Sequence, residues 1–294
     1  MAWWELRLVS ARGEIAALES ALEDLGVLSL TLVDNADDPI LEPALGETPL
    51  WDTTGLNALF DENCPREDID FQLKQQFPSL KLDWHKIEDR DWEREWMRDY
   101  HAIQVSDALW ICPSWQDAPD PNAVNLMLDP GLAFGTGTHP TTFLCLQWLA
   151  RRDRAPELVL DYGCGSGILA IAALLLGAKH AVGIDIDPQA LIASADNLER
   201  NHLRHSRLSL ATPDNSPALQ ADIVLANILA APLIDLAPTL LGYLKPEGSI
   251  CLSGILFEQH QTVLDAYAPH LRDIEVERKS EWVRISGTKH PDPH

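Results

Sequence analysis

Basic side chains are scarce in this chain, which has 22 lysines and arginines against 45 aspartates and glutamates, a formal net charge of −23. Such a surface repels a phosphate backbone, so we expect no direct nucleic-acid partner. The excess of acidic over basic side chains is largest in the first third of the chain. Residues 1–100 carry 9 basic and 23 acidic side chains, a net charge of −14. Solvation alone accounts for an acidic surface, and the alternative interpretation is a docking surface for a basic macromolecule.

Cysteines and long apolar runs are also few. The five cysteines are odd in number and widely spaced, which is typical of reduced thiols rather than of a disulfide framework. Neither they nor the scattered histidines predict a metal site. The longest apolar run, residues 168–178, is well short of the roughly 18 residues that span a bilayer. We therefore expect a cytoplasmic protein with no membrane partner.

The order of strand and helix patterns predicts two domains. Residues 1–88 follow the order strand, helix, strand, strand, helix, strand, which predicts a small ferredoxin-like α/β domain. Residues 89–103, rich in charge and tryptophan, predict a linker helix. Residues 104–294 alternate strands and helices, an order that requires a mainly parallel sheet with helices on both faces. The predicted fold of this part is a doubly wound, seven-stranded, Rossmann-like domain, in which residues 232–243 form one helix.

A glycine-rich turn after an apolar strand is the most specific motif. The run 158–161 ends in Asp161, and three alternating glycines follow it: Gly163, Gly165 and Gly167. Glycine allows the backbone to approach a ligand where a side chain would collide. A second apolar run ends in Asp185, whose carboxylate at the tip of the neighbouring strand can bind two ribose hydroxyls. The pattern predicts a nucleoside-cofactor site.

The identity of the cofactor depends on one missing glycine. A dinucleotide fingerprint places a third glycine where this chain has Ile168, so a nicotinamide cofactor is disfavoured. The order acid, x, Gly, x, Gly, x, Gly resembles the first motif of class I S-adenosylmethionine-dependent methyltransferases. That cofactor presents a carboxylate and an ammonium instead of phosphates. An acidic side chain near the turn can therefore interact with the ammonium. We therefore expect S-adenosylmethionine to bind near Asp161, Gly163, Gly165 and Asp185.

A segment rich in glycine and threonine, residues 129–142, precedes a further helical run. It contains three glycines and four threonines but lacks the lysine of a phosphate-binding P-loop. We interpret it as a lid that places Phe134 on the cofactor, with the hydroxyl of Thr142 at the start of the helix. His139 is a possible base, but its position before a proline favours a structural turn residue.

Asn227 ends a predicted strand over residues 221–227, at the edge of the sheet where ligands bind in α/β folds. A buried amide is costly unless it has a partner. Its carbonyl oxygen could accept a proton from an amine and aim the nitrogen lone pair at a methyl group. The aromatic residue usual after this position in nucleic-acid methyltransferases is absent from residues 228–230, which disfavours a flipped base as substrate. Asn227 is therefore the candidate catalytic residue, and no general base is nominated.

Four segments together resemble one family, the bacterial methyltransferases of large-subunit ribosomal protein eleven (PrmA): residues 131–142, 161–170, 183–188 and 226–229. The resemblance is strong over about residues 100–289. It implies transfer of methyl groups from S-adenosylmethionine to lysine ε-amines and the N-terminal α-amine of a basic ribosomal protein, which the first domain presents. We expect this protein to dock on the acidic N-terminal domain, and we expect the enzyme to be a monomer. It also implies that the cofactor is bound at Thr142, Gly163, Asp185 and Asn227.

Two alternatives share the same cofactor motif. A methyltransferase that acts on a small molecule or on nucleic acid would differ only in its acceptor. A binding protein without activity would retain the cofactor and transfer nothing. Incubation with labelled cofactor distinguishes the three hypotheses by the fraction that becomes labelled.

Overall fold

The computed structural model describes residues 3–34, 53–87, 101–129, 137 and 139–291. The chain divides into two compact units, residues 1–99 and 100–294. The linker helix expected over residues 89–103 lies mostly outside the described residues and stays a prediction, as does Phe134. Within the described ranges, no helix is long and apolar enough to cross a membrane.

The first unit is an antiparallel four-stranded sheet with two helices. Its elements are β1 (Trp3–Ala11), α1 (Ile15–Asp24), β2 (Ser29–Asp34), β3 (Thr53–Asp61), α2 (Arg66–Gln76) and β4 (Asp83–Ile87), and the strand order is β2-β3-β1-β4. Side chains alternate along β1, so Leu6 and Leu8 are buried with both helices while Arg7 is exposed. This order and topology confirm the ferredoxin-like prediction.

The second unit begins with a small sheet that the sequence did not predict. Its strands are β5 (Ile103–Ser106), β6 (Leu109–Cys112) and β7 (Val124–Met127), in the order β5-β6-β7. Each strand has only four residues, too few for alternation to stand out from the surrounding loops.

The main sheet of the second unit has seven strands in the order β10-β9-β8-β11-β12-β14-β13. The elements are α3 (Pro140–Ala150), β8 (Leu158–Tyr162), α4 (Ile168–Leu175), β9 (His180–Ile184), α5 (Pro188–Arg200), β10 (Leu208–Ala211), β11 (Ala221–Asn227), α6 (Ala230–Asp235), α7 (Ala237–Tyr243), β12 (Leu244–Leu256), α8 (His260–Tyr267), β13 (Leu271–Lys279) and β14 (Trp282–Lys289). Strands β8 to β12 are parallel, and β14 is antiparallel to both of its neighbours. The strand order reverses between β8 and β11, which is where ligands bind in doubly wound sheets. The predicted fold class is confirmed.

One predicted helix, residues 232–243, is broken into α6 and α7 at Leu236. Pro238 has no amide proton to donate to the carbonyl of Ile234, and its ring crowds that carbonyl. The helical periodicity continues across the break, so the apolar pattern alone predicted one helix instead of two.

Each face of the main sheet carries an apolar core. Leu225 packs into the core that contains α3 and α4, and its neighbour Val224 packs into the core that contains α6, α7 and α8. Because side chains alternate along a strand, every second residue of β11 points to the same helices. This alternation decides which polar side chains share a face at the ends of the strands.

Candidate functional site

The glycine turn joins β8 to α4 at the carboxyl edge of the main sheet. Gly163, Gly165 and Gly167 have φ angles of 75°, 54° and 76°, a region that other residues rarely adopt. A Cβ on Gly163 would lie 2.3 Å from Cγ2 of Ile228, and one on Gly167 would lie 2.7 Å from Oγ of Ser194. The turn therefore requires glycine both for its conformation and for space.

Asp185 follows β9 and is bonded to the turn. One carboxylate oxygen accepts the amide proton of Gly165 at 2.8 Å, and the other accepts that of Asp187 at 3.0 Å. Each oxygen retains a second lone pair for a ligand, and the residue is partly exposed. The next side chain, Ile186, is apolar and 84% exposed. Asp185 thus presents a fixed carboxylate beside an apolar surface.

Asp161 lies at the end of β8 and is only 1% exposed. Its Oδ2 accepts the amide proton of Ala170 at 3.0 Å, while Oδ1 is buried with no hydrogen-bond partner in the described part of the chain. Burial raises the pKa of this carboxyl to about 7, the Ala170 amide lowers it, and the charge of Asp185 raises it. An ammonium group would supply the missing partner, so this residue fits the amino-acid end of S-adenosylmethionine.

Asn227, at the end of β11, contacts the start of α3. Its Nδ2 donates to the hydroxyl of Thr142 at 3.2 Å, and its Oδ1 is buried without a hydrogen-bond partner among the residues described. Asp161 pairs with Leu225 on β11, two residues before Asn227. Asp161 and Asn227 therefore project from the same face of the sheet, on neighbouring strands. Two buried oxygens without partners thus lie at the same edge, one acidic and one neutral.

His139 acts as the N-cap of α3. Its Nδ1 accepts the amide proton of Thr141 at 3.4 Å and lies 2.8 Å from the hydroxyl of the same residue. Burial lowers the pKa of His139. This geometry favours the structural interpretation of His139 over a role as base.

Helix α5 holds the glycine turn through polar side chains that the sequence analysis missed. Oγ of Ser194 donates to the carbonyl of Gly165 at 2.9 Å, and Nδ2 of Asn197 donates to the carbonyl of Ser166 at 2.8 Å. Asn201 bonds the amide and the carbonyl at the end of β7, each at 2.8 Å. The available signal was their spacing of three and four residues, which places them on one face of the helix.

No metal site accompanies these residues: the described ranges contain no group of three histidine, cysteine, aspartate or glutamate side chains that could hold a metal ion. The sequence-predicted residues Thr142, Asp161, Gly163, Gly165, Asp185 and Asn227 all lie on the ends of β8, β9 and β11, on the glycine turn or on the first turn of α3. The arrangement joins a fixed carboxylate, a turn that requires glycine, a buried acid and a buried amide oxygen.

Known proteins of one family match this chain over nearly its whole length. The family model described as ribosomal protein L11 methyltransferase (PrmA) matches residues 2–290. A protein of Cellvibrio japonicus named ribosomal protein L11 methyltransferase is 53% identical over 291 residues, 98% of this chain and 99% of that protein. A protein of the same name from Hahella chejuensis is 52% identical over 292 residues, 99% and 100% of the two chains.

A solved structure is also similar. The crystal structure of ribosomal protein L11 methylase from Lactobacillus delbrueckii subsp. bulgaricus is 34% identical, covers 65% of this chain and 100% of that chain, and has a TM-score of 0.58. This similarity supports the Rossmann-like methyltransferase fold described above.

Proposed function

This chain belongs to the ribosomal protein L11 methyltransferase family, and on that premise we propose that it transfers methyl groups from S-adenosylmethionine to amino groups of ribosomal protein L11. The acceptors are lysine ε-amines and the N-terminal α-amine. The observation that carries the proposal is the buried Oδ1 of Asn227, which has no hydrogen-bond partner in the described ranges and lies at the strand end beside the glycine turn. An amine N–H is the partner that this oxygen lacks.

S-adenosylmethionine, when bound, supplies an electrophilic methyl group on a sulfonium. The residues proposed to hold it are Thr142, Gly163, Asp185 and Asn227, together with Phe134, Asp161 and Gly165. Asp185 binds the ribose hydroxyls from the tip of β9. Asp161 pairs with the ammonium of the methionine part, and the glycine turn presents its backbone to the ligand. Phe134 is proposed as the cover of the site.

The acceptor amine must arrive neutral and aligned. At pH 7, deprotonation costs a lysine of pKa about 10.4 roughly 4.6 kcal/mol, and an α-amine of pKa about 7.8 roughly 1 kcal/mol. Oδ1 of Asn227 accepts an N–H of the neutral amine, which directs the nitrogen lone pair away from the amide and toward the methyl group. Alignment contributes several kcal/mol, and a desolvated site lowers the lysine pKa, so no general base is required.

The acidic first unit is proposed as the substrate-recognition domain, over residues 1–88. Its charge complements a basic ribosomal protein, since residues 1–100 carry a net charge of −14. Helix α2 begins with two acidic side chains, Glu67 and Asp68, in its first turn. We propose that the protein acts as a monomer in the cytoplasm, without direct contact with nucleic acid.

The test is methyl transfer from labelled S-adenosylmethionine, with purified ribosomal protein L11, ribosomal RNA and a small-molecule extract as separate acceptors. We expect label on the L11 protein alone, on lysines and the N-terminal amine by mass spectrometry. Label in the RNA or in the extract would instead support the alternative methyltransferase, and cofactor binding without any label would support a binding protein.

The docking proposal has its own test. A variant that lacks residues 1–88 should retain cofactor affinity by calorimetry but lose methylation of the L11 protein. If this variant methylates L11 at the rate of the full chain, the first unit is not the recognition domain.

A further inference from the structure

The turn between β13 and β14 contacts the start of α3 at two points. Trp282 lies edge-on to His139, with 4.8 Å between the ring centroids and 68° between the ring planes. Nζ of Lys279 lies 4.0 Å from the centre of the Phe143 ring. His139 and Phe143 are four residues apart and share one side of the helix. The hairpin therefore holds one face of the first turn of α3.

The same hairpin also holds the other end of α3. Glu277 on β13 accepts hydrogen bonds from Arg151, the C-cap residue of α3, at 3.3 Å and from Arg284 on β14 at 3.0 Å. The Arg284 side chain is 2% exposed and that of Glu277 is 32% exposed, so this charged hydrogen bond is partly buried. Both ends of α3 are thus fixed to one hairpin.

The position of α3 determines the position of Thr142. His139 is three residues before Thr142, and the N-cap and the third helical residue belong to the same first turn. Thr142 in turn accepts the hydrogen bond that orients the amide of Asn227. A series of direct contacts therefore leads from Trp282 through the first turn of α3 to Asn227.

We propose that Trp282 is a positioning residue for methyl transfer, which fixes Thr142 against Asn227 by holding His139 at the start of α3. The inference rests on the proposed role of Asn227 in orienting the acceptor amine. It assigns a function to the antiparallel pair β13 and β14, whose turn contacts the first turn of α3.

The first test compares Trp282→Leu with Trp282→Phe, because phenylalanine retains an aromatic edge for His139 and leucine does not. Trp282→Leu should lower kcat for L11 methylation about threefold to tenfold, because the interaction energy of an aromatic pair corresponds to a rate change of this size. It should raise the cofactor Kd less than about threefold. Trp282→Phe should restore most of kcat. Val276→Ala, at a 46% exposed position of the same hairpin, is the matched control and should leave kcat unchanged.

A second measurement does not depend on activity. The side-chain amide signal of Asn227 in ¹⁵N-labelled protein, assigned by its loss in Asn227→Ala, should move in Trp282→Leu and return to its place in Trp282→Phe. An unmoved signal in Trp282→Leu would overturn the proposal. If the wild-type protein methylates no acceptor, the proposed function fails, and this signal still decides the positioning role.

A double-mutant cycle separates positioning from a general loss of stability. In the Thr142→Val background the hydroxyl that Trp282 is proposed to position is absent, so Trp282→Leu should cause no further fall in kcat. An equal fall in both backgrounds would show that Trp282 acts by another route and would overturn the inference.

Discussion

The side-chain amide of Asn227 donates to the hydroxyl of Thr142 over 3.2 Å, across 85 residues of sequence. This bond determines which end of the amide faces the site, because a donating NH₂ group leaves the carbonyl oxygen as the free acceptor. The oxygen is buried and has no hydrogen-bond partner among the described residues. A buried acceptor without a partner costs about 1–3 kcal/mol, a cost that an amine substrate can remove.

Replacing Asn227 should therefore reduce catalysis more than cofactor binding. Asn227→Ala leaves the acceptor nitrogen unaligned, and kcat for L11 methylation should fall on the order of a hundredfold. The cofactor Kd, measured by calorimetry, should rise by about tenfold or less, the worth of one hydrogen bond. Near-normal turnover in this variant would contradict the amine-positioning role.

Asp185 should matter for cofactor binding in a way that its neighbour Asp187 does not. Asp185→Ala removes the proposed ribose contact and the bond to the Gly165 amide, so calorimetry should detect no cofactor binding. Asp187 caps α5 by accepting the amide proton of Gln189 at 2.9 Å. Asp187→Ala removes the same charge and should cost about 1 kcal/mol of stability with little change in affinity. Tight binding by Asp185→Ala would contradict the ribose assignment.

The sequence predicted the elements whose signals are local. Patterns within about ten residues predict the glycine turn, the acids at or just after the ends of β8 and β9, and the order of most strands and helices in the second unit. The split at Leu236 was missed because the helical periodicity continues across Pro238. The small sheet of β5, β6 and β7 was missed because four-residue strands carry too little alternation.

The sequence predicted only those site residues whose type and position at a strand end together indicate ligand binding. Asp161, Asp185 and Asn227 are polar residues at the ends of apolar strands, and such positions suggest function without a structure. The bonds from Asn197 and Asn201 join residues 31 and 74 positions apart. Their spacing of three and four residues after Ser194 indicates a shared face of the helix but not which backbone groups they bond, so their role required the tertiary structure.

Cofactor binding should depend on pH through Asp161. Burial raises the pKa of this carboxyl to about 7, so below pH 7 it is neutral and must lose a proton before it pairs with an ammonium. If only the ionised form binds, affinity should fall roughly 25-fold from pH 7.5 to pH 5.5, and binding should release protons near neutral pH. Calorimetry in buffers of different ionisation enthalpy measures both effects.

Asp161→Asn provides the control, because an amide cannot titrate. Its cofactor affinity should be weak but independent of pH in this range, and a steep dependence would show that another group is responsible. Because the pKa of Asp161 is higher in the folded state than in the unfolded state, protonated Asp161 stabilises the folded protein below about pH 4. This contribution is lost as the pH rises through 7. The asparagine variant should therefore become more stable relative to the wild type between pH 5 and pH 8 in urea unfolding.

Variants of Asn197 and Asn201 separate the effect of the hydrogen bond to the glycine turn from the effect of a general loss of folding stability. Both asparagines are buried, at 6% and 8% exposure, and they are one helical turn apart, Asn197 within α5 and Asn201 as its C-cap residue. Asn197 bonds the carbonyl of Ser166 in the turn, whereas Asn201 bonds the end of β7 and the carbonyl of Asn197. Each alanine variant removes hydrogen bonds to backbone groups and should cost about 1–3 kcal/mol of unfolding free energy.

Only Asn197→Ala should also weaken cofactor binding, because it alone removes a hydrogen bond to the glycine turn, at the carbonyl of Ser166. We expect its Kd to rise about tenfold, with kcat close to normal at saturating cofactor, since Asn227 and Thr142 are untouched. Asn201→Ala should lose similar stability by urea unfolding while its Kd stays within about twofold of the wild type. Equal increases of Kd in the two variants would mean that α5 acts through overall stability and not through its contact with the turn.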